Sequence, residues 1–224
     1  MKWFSFICLI LCSLSCKKGS IQLDLVPLDS ATTDHIYDLT FIDDNTAYFC
    51  GGKLWQSGVV GKSINGGLDW EIVLETDNVL FAVAFKNPNE GVAVGFSGRT
   101  WRTKEGGGTW TLTENAPDFP VLRDVTFLTP DSLIIAAGSN YYSGGVVGYN
   151  FENENYTDSL INQDMQALHF FNQQEGLIVG YGAVFKTYNA GDTWSPNTVK
   201  GDYFKDLDFN SQESGLLIGY QGKI

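Results

Sequence analysis

Histidine, cysteine and basic side chains are scarce in this 224-residue chain, and each shortage removes a class of chemistry. There are two histidines, His35 and His169, and no serine or cysteine nucleophile stands beside either in a recognisable motif. A nucleophilic triad therefore has no support. No Gly-rich phosphate loop or dinucleotide fingerprint occurs, so no cofactor is expected. Three of the four cysteines, Cys8, Cys12 and Cys16, fall in the first 16 residues. Cys50 is then alone in the folded part, which excludes an internal disulfide and any metal site built on cysteines, and no metal is expected. Fourteen Lys and Arg face 26 Asp and Glu, a balance that repels phosphate backbones and excludes nucleic acid as a partner. The acidity itself is read as a solubility device. Helical periodicity is missing beyond the first residues, and the apolar run Trp3–Leu14 spans only 12 residues, too few to cross a bilayer.

That run does suit the core of an export signal. Lys2 supplies the positive start, and small residues lead to Ser15-Cys16-Lys17-Lys18. The segment resembles the lipobox of bacterial lipoproteins, with Ser13 where such boxes usually carry Leu, and its Ser-Cys-Lys-Lys pattern is similar to that of the Bacteroidota. The resemblance implies a signal peptide over 1–15, lipidation at Cys16 and a short linker over 16–20. It also implies a membrane anchor in the cell envelope, at the outer membrane, on its periplasmic or surface side. An ordinary secretory signal cleaved nearby is the alternative. Loss of Lys2 would leave 13 basic against 26 acidic residues, a net charge of −13.

What the chain does contain is a repeat. A Phe followed ten residues later by a Gly recurs as Phe41–Gly51, Phe85–Gly95, Phe170–Gly180 and Phe209–Gly219. Phe127–Gly138 reads as the same unit with one extra residue. A second pattern falls in the back half of each unit: Ser63–Trp70 (SINGGLDW), Thr103–Trp110 (TKEGGGTW) and Thr187–Trp194 (TYNAGDTW). A fourth copy is degenerate, with Tyr156 at the Trp position. With 25 Gly, 10 Tyr and 15 Phe, the composition favours short strands and tight turns. Four strands fit each unit; in the second they are Leu80–Asn87, Gly91–Phe96, Gly98–Lys104 and Thr109–Asn115. Alternation in the first of these puts Phe81, Val83 and Phe85 on one side and Ala82 and Ala84 on the other.

The second pattern resembles the Asp-box, or BNR repeat. In that motif Ser63, Asn65, Gly67 and Trp70 are structural, as are Thr103, Gly107 and Trp110, and Thr187, Asn189, Gly191 and Trp194. The glycines permit the turn, Asn65, Glu105 and Asn189 accept backbone N–H bonds, and each Trp plugs the gap between sheets. Taken whole, the repeat resembles the photosystem II assembly and stability factor-like propellers, which Gly176–Trp194 follows closely. The expectation is an all-β fold over 21–224, a β-propeller of four-stranded antiparallel blades. About five blades are visible of what that family commonly builds as seven. Ile21–Leu28 aligns with a fourth strand, suited to closing the ring. The fifth unit stops at Gly222-Lys223-Ile224, where an Asp-box is due, so the sequence reads as a piece of a longer protein.

Two functional readings follow. A sialidase would need three arginines converging on a carboxylate, and Arg99, Arg102 and Arg123 fall on strands too far apart. Asp38, Asp124 and Asp206, each three residues before a repeat Phe, are candidates for an axial acid/base or cation site in a glycoside hydrolase-like propeller. The same carboxylates could instead bind backbone between blades. The favoured reading is a non-catalytic scaffold that binds protein or glycan through loops. Enlarged loops at Gly52–Gly58 and Ser139–Gly144 would place Trp55, Tyr141 and Tyr142 on one rim, with Lys53 and Gln56 nearby and Arg123 toward the axis.

Overall fold

Turn-forming residues punctuate the chain every few positions, so no strand can grow long and the backbone must pair locally. The computed structural model of the protein describes residues 31–113, 121–139, 143–152, 154–197 and 203–220. Residues 1–15, expected to be a signal peptide, with Cys16, Ile21–Leu28, Tyr141, Tyr142 and the last four residues, lie outside the described residues. Eighteen strands form five antiparallel sheets, and there is no helix among the described residues.

The first sheet contains β1 (His35–Phe41), β2 (Ala47–Lys53), β3 (Ser57–Ser63) and β4 (Glu71–Thr76), hydrogen-bonded in that order. The second holds β5 (Leu80–Phe85), β6 (Gly91–Gly95), β7 (Thr100–Thr103) and β8 (Thr111–Thr113). The third holds β9 (Leu122–Thr129), β10 (Ser132–Ser139), β11 (Ser143–Asn150) and β12 (Asn155–Leu160). The fourth holds β13 (Met165–Phe170), β14 (Gly176–Gly180), β15 (Ala183–Thr187) and β16 (Ser195–Asn197). A fifth sheet of two strands, β17 (Phe204–Ser211) and β18 (Ser214–Gly219), follows. The first strands β1, β5, β9, β13 and β17 pack against one another in succession, which makes them the inner strands of propeller blades.

The apolar core lies between the blades. Tyr48, Cys50 and Val60 of the first blade meet Leu80, Val83 and Ala93 of the second. Ala82, Val92 and Val94 meet Leu122, Leu133 and Ile135 of the third. Ile134, Ala136 and Val146 face Met165, Leu168 and Ile178 of the fourth, and Ala167, Val179 and Val184 face Phe204 and Leu207 of the fifth. The second, third and fourth sheets therefore contribute apolar residues to a core on both faces, and every sheet depends on a neighbour for burial.

A shared irregularity sits at the same place in all five inner strands. The register slips by one residue between Ile36 and Asp38, Leu80 and Ala82, Leu122 and Asp124, Met165 and Ala167, and Phe204 and Asp206. The extra residues are Tyr37, Phe81, Arg123, Gln166 and Lys205. This bulge breaks the expected alternation of β5: Val83 joins the core between the first two blades, whereas Phe81 leaves that side to meet Tyr37 and Arg123. Pairing also corrects the third unit. Leu122 pairs with Ala137, as Leu80 pairs with Gly95, so Ala137 takes the glycine position and no residue is inserted. The repeat glycines are needed because the inner strand's preceding carbonyl lies against them. A Cβ on Gly95 would stand 2.2 Å from the Val79 oxygen, and one on Gly180 would stand 2.0 Å from that of Asp164.

The turns of the Ser/Thr-to-Trp motif are pinned chiefly by their first residue. Ser63, Thr103 and Thr187 are almost fully buried, and their hydroxyl oxygens accept the N–H of Gly67 (2.9 Å), Gly107 (2.9 Å) and Gly191 (3.0 Å). Those three glycines have φ near +90°, a conformation that side chains disfavour. The side-chain oxygens of Asn65 and Asn189 accept the N–H of Asp69 and Thr193, both at 3.0 Å. Glu105 differs from expectation: its longer carboxylate accepts the Thr109 hydroxyl at 3.0 Å instead of a backbone N–H. The N–H groups of Gly66, Gly106 and Ala190 donate to the carbonyls of Asn45, Asn89 and Gln174, which ties each of these turns to the hairpin of the Phe repeat. Trp110 packs edge-on to Phe85 at 6.2 Å between the first and second blades. Trp194 meets Phe170 at 6.1 Å between the third and fourth. Trp70 lies against Phe49 at 4.9 Å. Gly95→Ala should destabilise the protein by about 2–3 kcal/mol, because the methyl must displace main chain, and urea unfolding measures this directly.

Candidate functional site

Two regions collect the sequence-derived candidates: the groove along the inner strands, and the loop face at the start of those strands. Asp38, Asp124 and Asp206 immediately follow the bulge residues on alternate blades, with Ala82 and Ala167 at the equivalent places between them. The bulge turns each of the first two carboxylates toward the next blade. Asp38 accepts the N–H of Leu39 at 2.8 Å and that of Val83, across the blade boundary, at 2.9 Å. Asp124 does the same with Val125 (2.7 Å) and Leu168 (2.8 Å). Asp206 accepts the N–H of Leu207 at 2.8 Å. Both oxygens of Asp38 and Asp124 thus hold main chain, the inter-blade arrangement left open by the sequence.

Asp38 and Asp124 also line a groove of about 920 Å³ between the inner strands, together with Thr40, Thr126, Phe85 and Phe127. Burial raises the Asp124 carboxyl from its ordinary 3.8 to about 7, against the opposing effect of its backbone hydrogen bonds, and the charges of Asp38 and Asp206 add to the rise. Burial raises Asp38 as well. Among the described residues, no three His, Cys, Asp or Glu are grouped to hold a metal ion.

On the loop face, the residues counted as an enlarged loop at Gly52–Gly58 mostly extend β2 and β3, leaving a turn of Leu54, Trp55 and Gln56. Trp55 has φ 64°, and its N–H donates to Asn78 Oδ1 at 3.0 Å. Its ring meets Phe96 of the second blade at 4.3 Å and stays 69% exposed. Lys53 is not free for a ligand, since its ammonium pairs with Asp34 at 2.8 Å. That contact, with the Ser57 hydroxyl, lowers the Asp34 pKa. Gln56 is exposed beside it, its N–H closing the turn on the Lys53 carbonyl. Tyr141 and Tyr142 lie outside the described residues.

Arg123 belongs to a group that the sequence reading missed. Its guanidinium lies over the Phe81 ring at 4.8 Å, and Phe81 meets Tyr37 edge-on at 5.1 Å. On the other side, Lys205 donates to the Gln166 side-chain oxygen at 2.8 Å, and its ammonium lies over Tyr203 at 4.5 Å. Tyr203 and Gln166 both donate to Asp164 Oδ2, at 2.6 and 2.8 Å. The signal was present in the repeat. The column four residues before each Phe reads Tyr, Phe, Arg, Gln, Lys, where an uninterrupted strand would place core residues. The arginines do not converge: Arg99 pairs with Asp77, and Arg102 with Glu90 at 3.1 Å while lying 3.7 Å over Phe151.

No family model and no curated protein matches the sequence. Solved structures do match the fold. A GH74 enzyme from Niastella koreensis superposes with a TM-score of 0.62 at 16% identity, covering 80% of this chain. YCF48 from Cyanidioschyzon merolae superposes with a TM-score of 0.61 at 14% identity, covering 87% of this chain. The matched part spans 34% of the enzyme and 67% of YCF48. The chain is a β-propeller by this likeness, which at such identities speaks for the fold alone.

The raised carboxyls carry a pH signature. In the folded state Asp124 holds its proton up to about pH 7, whereas in the unfolded chain it loses it near 3.8. Its stabilising contribution is therefore full below about pH 4 and disappears as pH rises through 7. The lowered carboxyls of Asp34, Asp43 and Glu90 act in the opposite sense, but at lower pH. Urea midpoints should fall between pH 5.5 and 8 in the parent protein, and Asp124→Asn should flatten that slope.

Proposed function

We propose that this protein is a non-catalytic binding scaffold of the cell envelope, anchored through lipid at Cys16, whose loop face captures a protein or glycan. The observation that carries the reading is the division of labour between the two regions. The axial carboxylates of Asp38 and Asp124 spend both oxygens on main-chain N–H groups that join blades. The loop face instead offers exposed rings on a rigid frame, with Trp55, Tyr181 and Tyr220 at 69%, 38% and 52% exposure. Large, stiff aromatic side chains give much contact area for little ordering entropy, which suits recognition.

A hydrolase remains the second reading. Asp124, with its carboxyl near pKa 7 beside a 920 Å³ groove, has the protonation state of a general acid at neutral pH. The GH74 neighbour is an enzyme on the same architecture. The two readings separate by substitution. Trp55→Ala should weaken capture of an envelope protein or glycan about ten-fold or more while changing stability by less than about 1 kcal/mol, since the ring is mostly exposed. Binding left intact by that change and by Tyr220→Ala, together with polysaccharide hydrolysis lost in Asp124→Asn, would overturn the scaffold reading. Cys16→Ala should move the protein from the membrane to the soluble fraction.

A further inference from the structure

Two cations, Arg123 and Lys205, act on each other at the loop-face end of the axis, and neither belongs to an ion pair among the described residues. Arg123 and Lys205 are the bulge residues of the third and fifth blades, and Gln166 is the bulge residue between them on the fourth. Because the bulge recurs at one level of every inner strand, the three side chains leave their strands at that level. Arg123 rests on the Phe81 ring, belongs to none of the ion pairs among the described residues, and has a buried Nε with no partner there. Lys205 donates to a neutral amide and lies over Tyr203 and Tyr220 at 4.5 and 5.1 Å. Burial and the charge of Arg123 pull the pKa of its ammonium down, against a smaller opposing effect of Asp164.

The carboxylate nearest to hand, Asp164, partly offsets the charge of Lys205 but forms no ion pair with either cation among the described residues. It is 2% exposed and accepts at Oδ2 from the Gln166 amide and the Tyr203 hydroxyl, both neutral donors. Its other oxygen lies where a Cβ on Gly138 would stand, so the absence of a side chain there makes room for it. Holding two half-buried cations together in this way is unfavourable until an anion arrives.

We propose that Arg123 and Lys205 form an anion site that takes the carboxylate of an acidic sugar. The proposal rests on the binding reading above and names its ligand class. A planar guanidinium supplies a two-pronged match to a carboxylate, and the ammonium adds a point charge. The exposed faces of Tyr181 and Tyr220 beside it can cover the C–H surface of a sugar ring. A chain of net charge −12 repels a polyanionic peptide at long range, whereas a uronic acid brings one charge per otherwise neutral ring. Below the mouth, the groove is lined by Asp38 and Asp124, which keeps an anion at the rim.

The test is calorimetric titration of the full chain with digalacturonate, its methyl ester and hexaglutamate at low salt. Digalacturonate should bind, the ester should bind at least ten-fold more weakly, and Arg123→Gln and Lys205→Gln should each reduce affinity ten-fold or more. If Arg123→Gln loses its fold along with the Phe81 contact, Lys205→Gln decides, with Lys205→Arg expected to restore binding. The proposal is overturned by no binding of digalacturonate, by unchanged affinity in Lys205→Gln, or by equal binding of hexaglutamate, which would assign the site to an acidic peptide. Partner capture that still depends on Trp55 while the anion site is silent would sink this proposal alone. Loss of both would remove the scaffold reading as well.

Discussion

One extra residue in each inner strand governs most of what the molecule presents. The bulge forces the strand's leading carbonyl against the paired second strand, and Gly51, Gly95, Gly180 and Gly219 lack the Cβ that would collide with it. It re-aims the next side chain, so that Asp38 and Asp124 reach the main chain of the following blade. It also turns the bulged residue itself toward the axis, out of the alternating pattern. Backbone geometry, blade-to-blade stapling and the lining of the channel mouth are three consequences of the same local irregularity.

The rest of the stability comes from surfaces that no blade can bury alone. Four cores lie at the four blade boundaries, and polar ties run alongside them. Tyr48 and Lys62 of the first blade both donate to the Gly106 carbonyl in the Thr103–Trp110 turn of the second, at 2.9 and 2.7 Å. Lys86 reaches from the second blade to the Pro130 carbonyl before β10 of the third at 2.7 Å. The Thr103–Trp110 turn thus serves both its own blade and, as an acceptor, its neighbour. Such a frame holds surface residues with little freedom, which is the property a display scaffold requires.

Much of the fold was legible because its causes are local. An inner-strand carbonyl that leaves no room for a Cβ fixes a Gly ten residues after the Phe, and a turn at φ near +90° leaves glycines in a polar motif. Strand positions in the second unit were therefore readable to within two residues at most ends. The third unit was misaligned because Gly138 looks like the repeat glycine, whereas pairing places Ala137 there. Gly138 serves a different need, the space taken by the Asp164 side chain of the next blade. That need arises from a contact 26 residues away in sequence, which spacing alone does not encode.

By itself the sequence determined the all-β class, the repeat, the blade boundaries and the turns, since each follows from residue size, backbone freedom and hydrogen bonding within a few positions. The tertiary structure decided how the candidates are spent. Asp38 and Asp124 were committed to main chain, Lys53 to Asp34, and Trp55 to a perch on Phe96. It also assembled Arg123, Gln166 and Lys205 from three blades, each about 40 residues from the next in the repeat. The physical reason is that a bulge shows its effect only in the pairing of two strands, and a shared electrostatic environment only once several blades stand side by side.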